Sequence, residues 1–303
     1  MIVQKFYDYA SFKQYYLNGQ FSANRAFEQN LIEQHAKQDS FKFSGICKGC
    51  DKHSMFLVDK QFGGVTTEKG WLPNWRERIL CQCHLNNRQR AILHAIKDSI
   101  RERREANDQP LTLYATEQIT PVYQWLVNYF KSLEDVTCIG SEYLGEEIEG
   151  GTLQDGLIKN MRHENLEQLS FSDSSLDLIM SNDVLEHVNQ PNKALQEIYR
   201  VLKPAGELFL SIPFHVVSKQ TVCRAEVKNG QLEHYLEPAY HGNPISEQGS
   251  LVFNDFGWDF LEQLREVGFA DACLCHYWSK LYGYLGEPQY YILANKAEES
   301  LSI

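Results

Sequence analysis

From Leu111 onward the chain alternates short apolar runs with amphipathic stretches, and this pattern limits the fold more than any other feature of the sequence. Apolar runs near 111–117, 136–142, 157–161, 176–181, 206–212, 270–276 and 289–295 read as strands, and 121–132, 191–202 and 255–267 carry helical periodicity. Strands separated by helices are joined by crossovers, which stack helices on both faces of a mainly parallel sheet. The alternation predicts an α/β fold over 111–303. One stretch, 214–252, is rich in His, Tyr, Pro and Gly and too long for a plain connection, so it reads as an inserted cap.

The first 110 residues have a different texture. Residues 1–40 are polar with aromatics at Phe6, Tyr7, Tyr9, Phe12, Tyr15 and Tyr16 on a rough helical spacing, which predicts an N-terminal helical segment with an aromatic docking face. Residues 41–85 hold short runs such as Met55-Phe56-Leu57-Val58, broken by Gly63-Gly64 and Gly70, which suit small strands and turns. Residues 86–110 read as a basic connecting helix, with Ala91, Ile92, Leu93, Ile96 and Ile100 as its apolar stripe and arginines opposite.

Two close cysteine pairs flank the short-strand segment: Cys47-Lys48-Gly49-Cys50 and Cys81-Gln82-Cys83. Two turns that each offer thiolates to one tetrahedral Zn²⁺ make a zinc ribbon, so 41–85 reads as a zinc-ribbon-like domain with Cys47, Cys50, Cys81 and Cys83 as ligands of a structural zinc. The second pair is one residue short of the usual CxxC spacing, and His84 or His53 could stand in for Cys83. Four protein ligands leave no open position, which argues against a catalytic ion there. Cys273 and Cys275 alternate with apolar neighbours and read as core, while Cys138 and Cys223 stand singly.

Charge separates the same two halves. The chain of 303 residues has a formal charge of −11, yet residues 1–110 hold 17 Lys plus Arg against 12 Asp plus Glu, a net of +5, and 111–303 hold 12 against 28, a net of −16. An acidic C-terminal half is a poor seat for phosphate backbones, while the front half keeps a polyanion role open through Arg88, Arg90, Lys97, Arg101, Arg103 and Arg104. Asp98, Glu102 and Glu105 interleave with those cations, as on an ordinary solvated helix face. No segment approaches about 18 uninterrupted apolar residues and the opening residues lack a signal-peptide core, so the expectation is a cytoplasmic protein with no membrane association.

Residues 165–213, NLEQLSFSDSSLDLIMSNDVLEHVNQPNKALQEIYRVLKPAGELFLSIP, resemble class I methyltransferases that use S-adenosylmethionine, of the type 11 methyltransferase group. The likeness lies in the polar LSFSDSSLDLI entry to a strand, in Asp183-Val184-Leu185-Glu186-His187-Val188 after it, and in Arg200-Val201-Leu202-Lys203-Pro204-Ala205-Gly206 turning a helix into the next strand. It extends more weakly over 111–296, and resembles in particular bacterial proteins in which a small cysteine-bearing segment precedes the methyltransferase domain. The resemblance implies a Rossmann-like, doubly wound, mostly parallel seven-stranded sheet with S-adenosylmethionine at the carboxyl ends of its strands.

Carried onto this sequence, the resemblance implies a set of cofactor residues. The first strand should end in an acidic residue and a glycine-rich loop; here Thr116-Glu117-Gln118-Ile119-Thr120-Pro121 keeps the acidic residue and lacks the glycines. Thr116, Gln118 and Thr120 can offer hydrogen bonds in place of bare backbone. Glu142, at the end of the second strand beside Tyr143, is placed to bind the ribose hydroxyls. Asn165 stands where the family has an Asp for the adenine amino group, and Leu166 would line the adenine slot. Ser181, Asn182 and Asp183 fall where the methyl end of the cofactor meets the acceptor.

Methyl transfer to a hydroxyl needs a base, and His187, His215 and His241 are the candidates, with His234 a further histidine of the insert. Arg224 of the insert could hold an anionic acceptor by a bidentate contact. The favoured reading is an enzyme that methylates a small-molecule or glycan-type acceptor held under the cap. Two others stand beside it: a methyltransferase acting on nucleic acid or protein recruited by the zinc ribbon and basic helix, and a non-catalytic cofactor-binding module, motivated by the missing glycines.

Overall fold

The structure, a computed structural model, describes residues 3–68, 70–243 and 245–298. The chain divides into two compact units: Met1–Asp108 with Leu274–Tyr291, and Gln109–Cys273 with Ile292–Ile303.

The first unit begins with β1 (Val3–Phe6), α1 (Tyr9–Leu17) and α2 (Gln20–Gln34). Asp8 caps α1 by accepting the Ser11 N–H at 2.8 Å. The two helices follow Val3–Phe6, a strand that pairs antiparallel with Leu274–Tyr277. β2 (Ser40–Cys47) and β3 (Lys52–Asp59) form a hairpin whose turn carries Lys48–Asp51. β4 (Val65–Thr67) and β5 (Gly70–Leu72) make a second, shorter hairpin, and a single helical turn, α3 (Trp75–Arg78), follows.

Helix α4 (Asn87–Ala106) opens with a capping box, in which Asn86 Oδ1 accepts the Gln89 N–H and Gln89 Oε1 accepts the Asn86 N–H. It is not the basic connector that the sequence suggests. Arg90 is fully buried, donates to the carbonyls of Ile79, Tyr282 and Gly283, and stacks 4.3 Å from the Phe56 ring. Arg88 is tied to Glu77, and Lys97 to Asp51 and the carbonyls of Lys48 and Gly49. The N-terminal half of the helix is buried, and Arg90 and Lys97 answer backbone carbonyls, which no periodicity reveals, while Arg101 and Arg104 stay exposed.

The same contacts correct the domain boundary. Residues 274–291, which the sequence assigns with 111–303, belong to the first unit: besides Arg90, Glu28 accepts the amides of Gly286 and Glu287, and Asn87 donates to the Leu285 carbonyl.

The second unit carries β6 (Leu111–Ala115), α5 (Pro121–Phe130), β7 (Val136–Gly140), β8 (Leu153–Gln154), β9 (Met161–Arg162), β10 (Leu176–Asn182), α6 (Pro191–Val201) and β11 (Leu202–Ser211). The insert holds β12 (Val222–Cys223) paired with β17 (Asn254–Asp255), and two hairpins, β13 (Ala225–Lys228) with β14 (Gln231–His234) and β15 (Tyr240–Asn243) with β16 (Ser246–Leu251). Helix α7 (Asp259–Val267), β18 (Asp271–Tyr277) and β19 (Tyr290–Asn295) complete the fold.

The main sheet has seven strands in the order β1-β18-β19-β11-β10-β6-β7. β7 with β6, β6 with β10 and β10 with β11 run parallel, and β19 meets β11 antiparallel. The α/β, seven-stranded expectation is met in a mixed sheet, parallel across β7, β6, β10 and β11 and antiparallel at β11–β19 and β1–β18. One strand was misplaced: the apolar run at 157–161 is not in the sheet, Leu157 is exposed, and Met161–Arg162 forms only the short β8–β9 hairpin. Because β6 continues through α5 to β7 on one side and has β10 on the other, the strand order reverses beside β6. In doubly wound sheets ligands bind outside the carboxyl ends at such a point.

Candidate active site and metal centre

At the carboxyl ends of β6, β7 and β10, side chains replace the missing glycine loop. The Thr116 hydroxyl donates to Ser181 Oγ at 2.9 Å, and the Asn182 side-chain amide donates to Glu117 Oε1 at 2.6 Å. Both bonds bridge the loop after β6 to the end of β10, and all four residues are buried. Asn182 Oδ1 is also buried and has no hydrogen-bond partner, so an acceptor is left over at the point where a cationic ligand is expected.

Glu142 follows β7. Its Oε1 accepts the amides of Gln118 at 2.7 Å and Ile119 at 3.0 Å, which leaves Oε2 as the oxygen for a ligand. Burial pushes its carboxyl above the ordinary range, against the two backbone amides that hold it down. Gln118 also accepts the Arg162 amide at 2.8 Å and donates to the Asn160 carbonyl at 3.1 Å. Thr120 caps α5 by accepting the Tyr123 N–H, with Pro121 opening the helix. The glycine this region needs is on the strand: a Cβ on Gly140 would lie 2.4 Å from the Tyr123 ring and 2.8 Å from the Glu117 carbonyl oxygen.

The residues expected at the adenine lie on turns. Tyr143 is half-exposed, with its ring 5.5 Å from that of His163. His163 Nδ1 accepts the Leu144 amide at 2.9 Å, and burial lowers its pKa. Leu166 is buried. Asn165 Oδ1 accepts the Glu167 amide at 2.9 Å, so part of its acceptor capacity already serves the turn. Neighbouring Glu164 is structural: fully buried, it accepts from Arg162 and from the amide and hydroxyl of Ser170. Asp183 holds a left-handed φ of 50°, at which its amide donates to the Ser211 carbonyl at 2.6 Å.

Among the candidate bases, the structure brings two together. His187, in a 3₁₀ turn at Leu185–His187, and His241, on β15, both approach the buried carboxylate of Glu186. His215 lies elsewhere, 3.8 Å from Asp255, and His234 is exposed on β14. Arg224, read from sequence as a possible anion clamp, is already paired with Asp255 at 2.6 Å and donates to the Glu237 carbonyl. Glu186 carries no expected role in the sequence beyond its place in the Asp183–Val188 motif. Its adjacency to His187, with a histidine-bearing insert downstream, was the available signal.

The chain matches the family described as a methyltransferase domain over residues 128–210, from within α5 through most of β11. The chain carries a methyltransferase domain. The match begins just past the loop after β6, the part where this methyltransferase domain departs from the glycine-rich pattern. Over 103 residues it is 37% identical to the ubiquinone/menaquinone biosynthesis C-methyltransferase UbiE of Hydrogenovibrio crunogenus, covering 33% of this chain and 36% of that protein. Over 46 residues it is 52% identical to the thiol S-methyltransferase TMT1B of Rattus norvegicus, covering 15% of this chain and 18% of that protein. The chain thus spans about a third of the length of the first of these relatives. Among solved structures, an S-adenosylmethionine dependent methyltransferase from Mesorhizobium loti aligns at 14% identity over 62% of this chain and 90% of that one, with a TM-score of 0.37.

In the first unit the four cysteines converge. Cys47 Sγ lies 3.8 Å from Cys83 Sγ and Cys50 Sγ 3.8 Å from Cys81 Sγ, and all four sulfurs lie within 4.8 Å of one another. A tetrahedral ion with Zn–S bonds of about 2.3 Å sets its sulfurs about 3.8 Å apart, so the donor set and spacing fit Zn²⁺. The short CxC spacing works because the second turn is tight: the His84 amide donates back to the Cys81 carbonyl with His84 at a φ of 66°, and the Cys83 amide points at Cys81 Sγ. His53 and His84 are outside the cluster, and His53 instead contacts the Ser44 hydroxyl at 3.1 Å.

Proposed function

We propose that this protein is an S-adenosylmethionine-dependent methyltransferase acting on a small-molecule or glycan-type acceptor, with a structural zinc in its N-terminal unit. The observation that carries the reading is the matched methyltransferase domain whose sheet gathers Glu117, Glu142 and Asn182 at the carboxyl ends beside its reversal point. When bound, S-adenosylmethionine supplies a sulfonium methyl group open to in-line attack by a nucleophile.

The chain's own groups fit that cofactor. Glu142 Oε2 would accept the ribose hydroxyls while Oε1 holds the loop amides in place. Asn165, Leu166 and Tyr143 would bound the adenine, and Gln118 with the Thr116–Thr120 backbone would face the amino-acid end. The Asn182 oxygen and the Glu117 carboxylate, with Ser181 and Asp183, would surround positive charge with acceptors. His187, His241 and His215 are the groups that could take a proton from a hydroxyl acceptor. Cys47, Cys50, Cys81 and Cys83 would hold the zinc, whose binding would contribute directly to folding of that unit.

Two features favour a small acceptor over nucleic acid. The cations that suggested a polyanion face are largely spent on Glu77, Asp51, Asp98 and buried carbonyls. The relatives reported above are named for a C-methyltransferase of ubiquinone/menaquinone biosynthesis and for a thiol S-methyltransferase. The test is formation of S-adenosylhomocysteine by the purified protein with a panel of phenols, quinols, thiols and sugars, run with and without excess RNA. Product that appears with one acceptor class and is indifferent to RNA supports the reading; turnover only with RNA or protein overturns it.

A further inference from the structure

We propose that Glu186, His187 and His241 form a second metal site, for a divalent first-row transition ion, between the motif after β10 and the inserted hairpin β15–β16. Glu186 is fully buried, and neither of its carboxylate oxygens has a hydrogen-bond partner. A buried carboxylate with no donor costs several kcal/mol unless a cation answers it. Two imidazoles stand close to it without bonding it: His241 Nδ1 is 3.4 Å and His187 Nε2 3.7 Å from Oε1. An ionic hydrogen bond would close these gaps to about 2.8 Å. A metal with ligand bonds of about 2.1 Å holds the ligand atoms of a tetrahedral site about 3.4 Å apart; the two histidine–carboxylate spacings are 3.4 and 3.7 Å, and all three ligand atoms lie within 4.8 Å of one another.

The surroundings are those of a ligand histidine. His187 Nδ1 lies 2.7 Å from the Leu251 carbonyl, a contact that puts the proton on Nδ1 and turns the Nε2 lone pair toward Glu186. The two rings are 5.0 Å apart and 88° to one another, so neither stacks over the other's nitrogens. Glu186 is further fixed through its own carbonyl, which accepts the Phe253 amide at 2.8 Å. Two imidazoles and a carboxylate are the donor set of first-row transition ions, not of Ca²⁺ or Mg²⁺.

Three protein ligands leave at least one position open, in contrast to the four cysteines of the other cluster. A water, or an oxygen or sulfur donor of the acceptor, would take it, and with His187 and His241 committed to the ion His215 would be the histidine left as a base; that assignment rests on the methyltransferase reading, whereas the site itself does not. The ion would also fasten the insert, through His241, to the carboxyl end of β10 that carries Ser181–Asp183.

The test is Co²⁺ titration of the full chain, first loaded with one equivalent of Zn²⁺ and desalted, followed by visible absorption. Thiolate-bound Co²⁺ shows intense charge transfer and a nitrogen–oxygen site does not, so the two clusters are told apart by spectrum. Expected is one further equivalent with weak ligand-field bands only, bound at least tenfold more weakly by Glu186→Gln and by His241→Ala and unchanged in His215→Ala. Absence of that second equivalent in the wild-type chain, or equal binding by Glu186→Gln, overturns the proposal. S-adenosylmethionine calorimetry on the same samples reports the methyltransferase reading separately, since neither variant removes a proposed cofactor contact.

Discussion

The side-chain amide of Asn182 donates to Glu117 Oε1 at 2.6 Å, joining the end of β10 to the loop after β6. In a chain whose loop lacks glycines, this bond and its neighbour from Thr116 to Ser181 give the loop its shape. Glu117→Ala would leave a buried amide without an acceptor, at a cost of about 1–3 kcal/mol, whereas Glu117→Gln keeps an acceptor oxygen. Urea unfolding should therefore separate the two variants, with Glu117→Ala the less stable.

Arg90 fills the first unit with a cation that donates to three carbonyls. Arg90→Met keeps the volume against Phe56 and loses the donors, which leaves buried carbonyls unpaired. A loss of roughly 3 kcal/mol or more in unfolding free energy is expected. A loss below about 1 kcal/mol would mean that water replaces the guanidinium, and that the carbonyls do not need it.

The cysteine assignment has a direct check by metal analysis. Cys83→Ser should lose the zinc equivalent held by the four cysteines, and His53→Ala should retain it. The opposite pattern would place His53, not Cys83, as the fourth ligand.

His94 gives a pH dependence to the first unit. Burial holds its pKa down at about 4, against the pull of Asp98 at 3.5 Å. The unfolded chain, with an ordinary histidine near 6.5, therefore binds the extra proton first. Its neutral form favours folding above that value, and stability falls as pH drops from about 6.5 toward 4. Thermal melts of His94→Gln should show a shallower decline across that window than the wild-type chain.

Much of the fold could be read from the residues, and the exceptions have physical causes. The strand at β10 and the helix α6 were legible because each has one period: an unbroken buried run, and an apolar stripe at Ala194, Leu195, Ile198 and Val201 opened by Pro191. The run at 157–161 does not enter the sheet: Leu157 is exposed and Ile158 half-buried, and only Met161 is buried, in the short β8–β9 hairpin. Arg90 and Lys97 were read as surface because charge patterns do not show where carbonyls converge. At the site, Glu142 was legible as a carboxylate ending a strand. The meeting of Glu186 with His241 was not, because 55 positions separate them and only the fold of the insert closes the gap.

Glu142 bears the most weight in the cofactor reading, and burial raises its carboxyl pKa. A carboxyl raised in the folded state favours folding at pH below its unfolded value and loses that contribution as pH rises, so the ionised group is a burden near neutrality. Glu142→Gln keeps an oxygen for the Gln118 and Ile119 amides without the charge. It should leave stability at neutral pH unchanged or raised while weakening the cofactor, a separation of stability from binding.

The most direct measurement is calorimetric titration of S-adenosylmethionine into the wild-type chain and into Glu142→Ala. Saturable one-to-one binding in the wild type, weakened at least tenfold in the variant, is the expected result, in line with loss of about 1.5–3 kcal/mol from charged hydrogen bonds. No binding by the wild-type chain, or equal affinity in the variant, would contradict a cofactor site at the carboxyl ends of β6, β7 and β10.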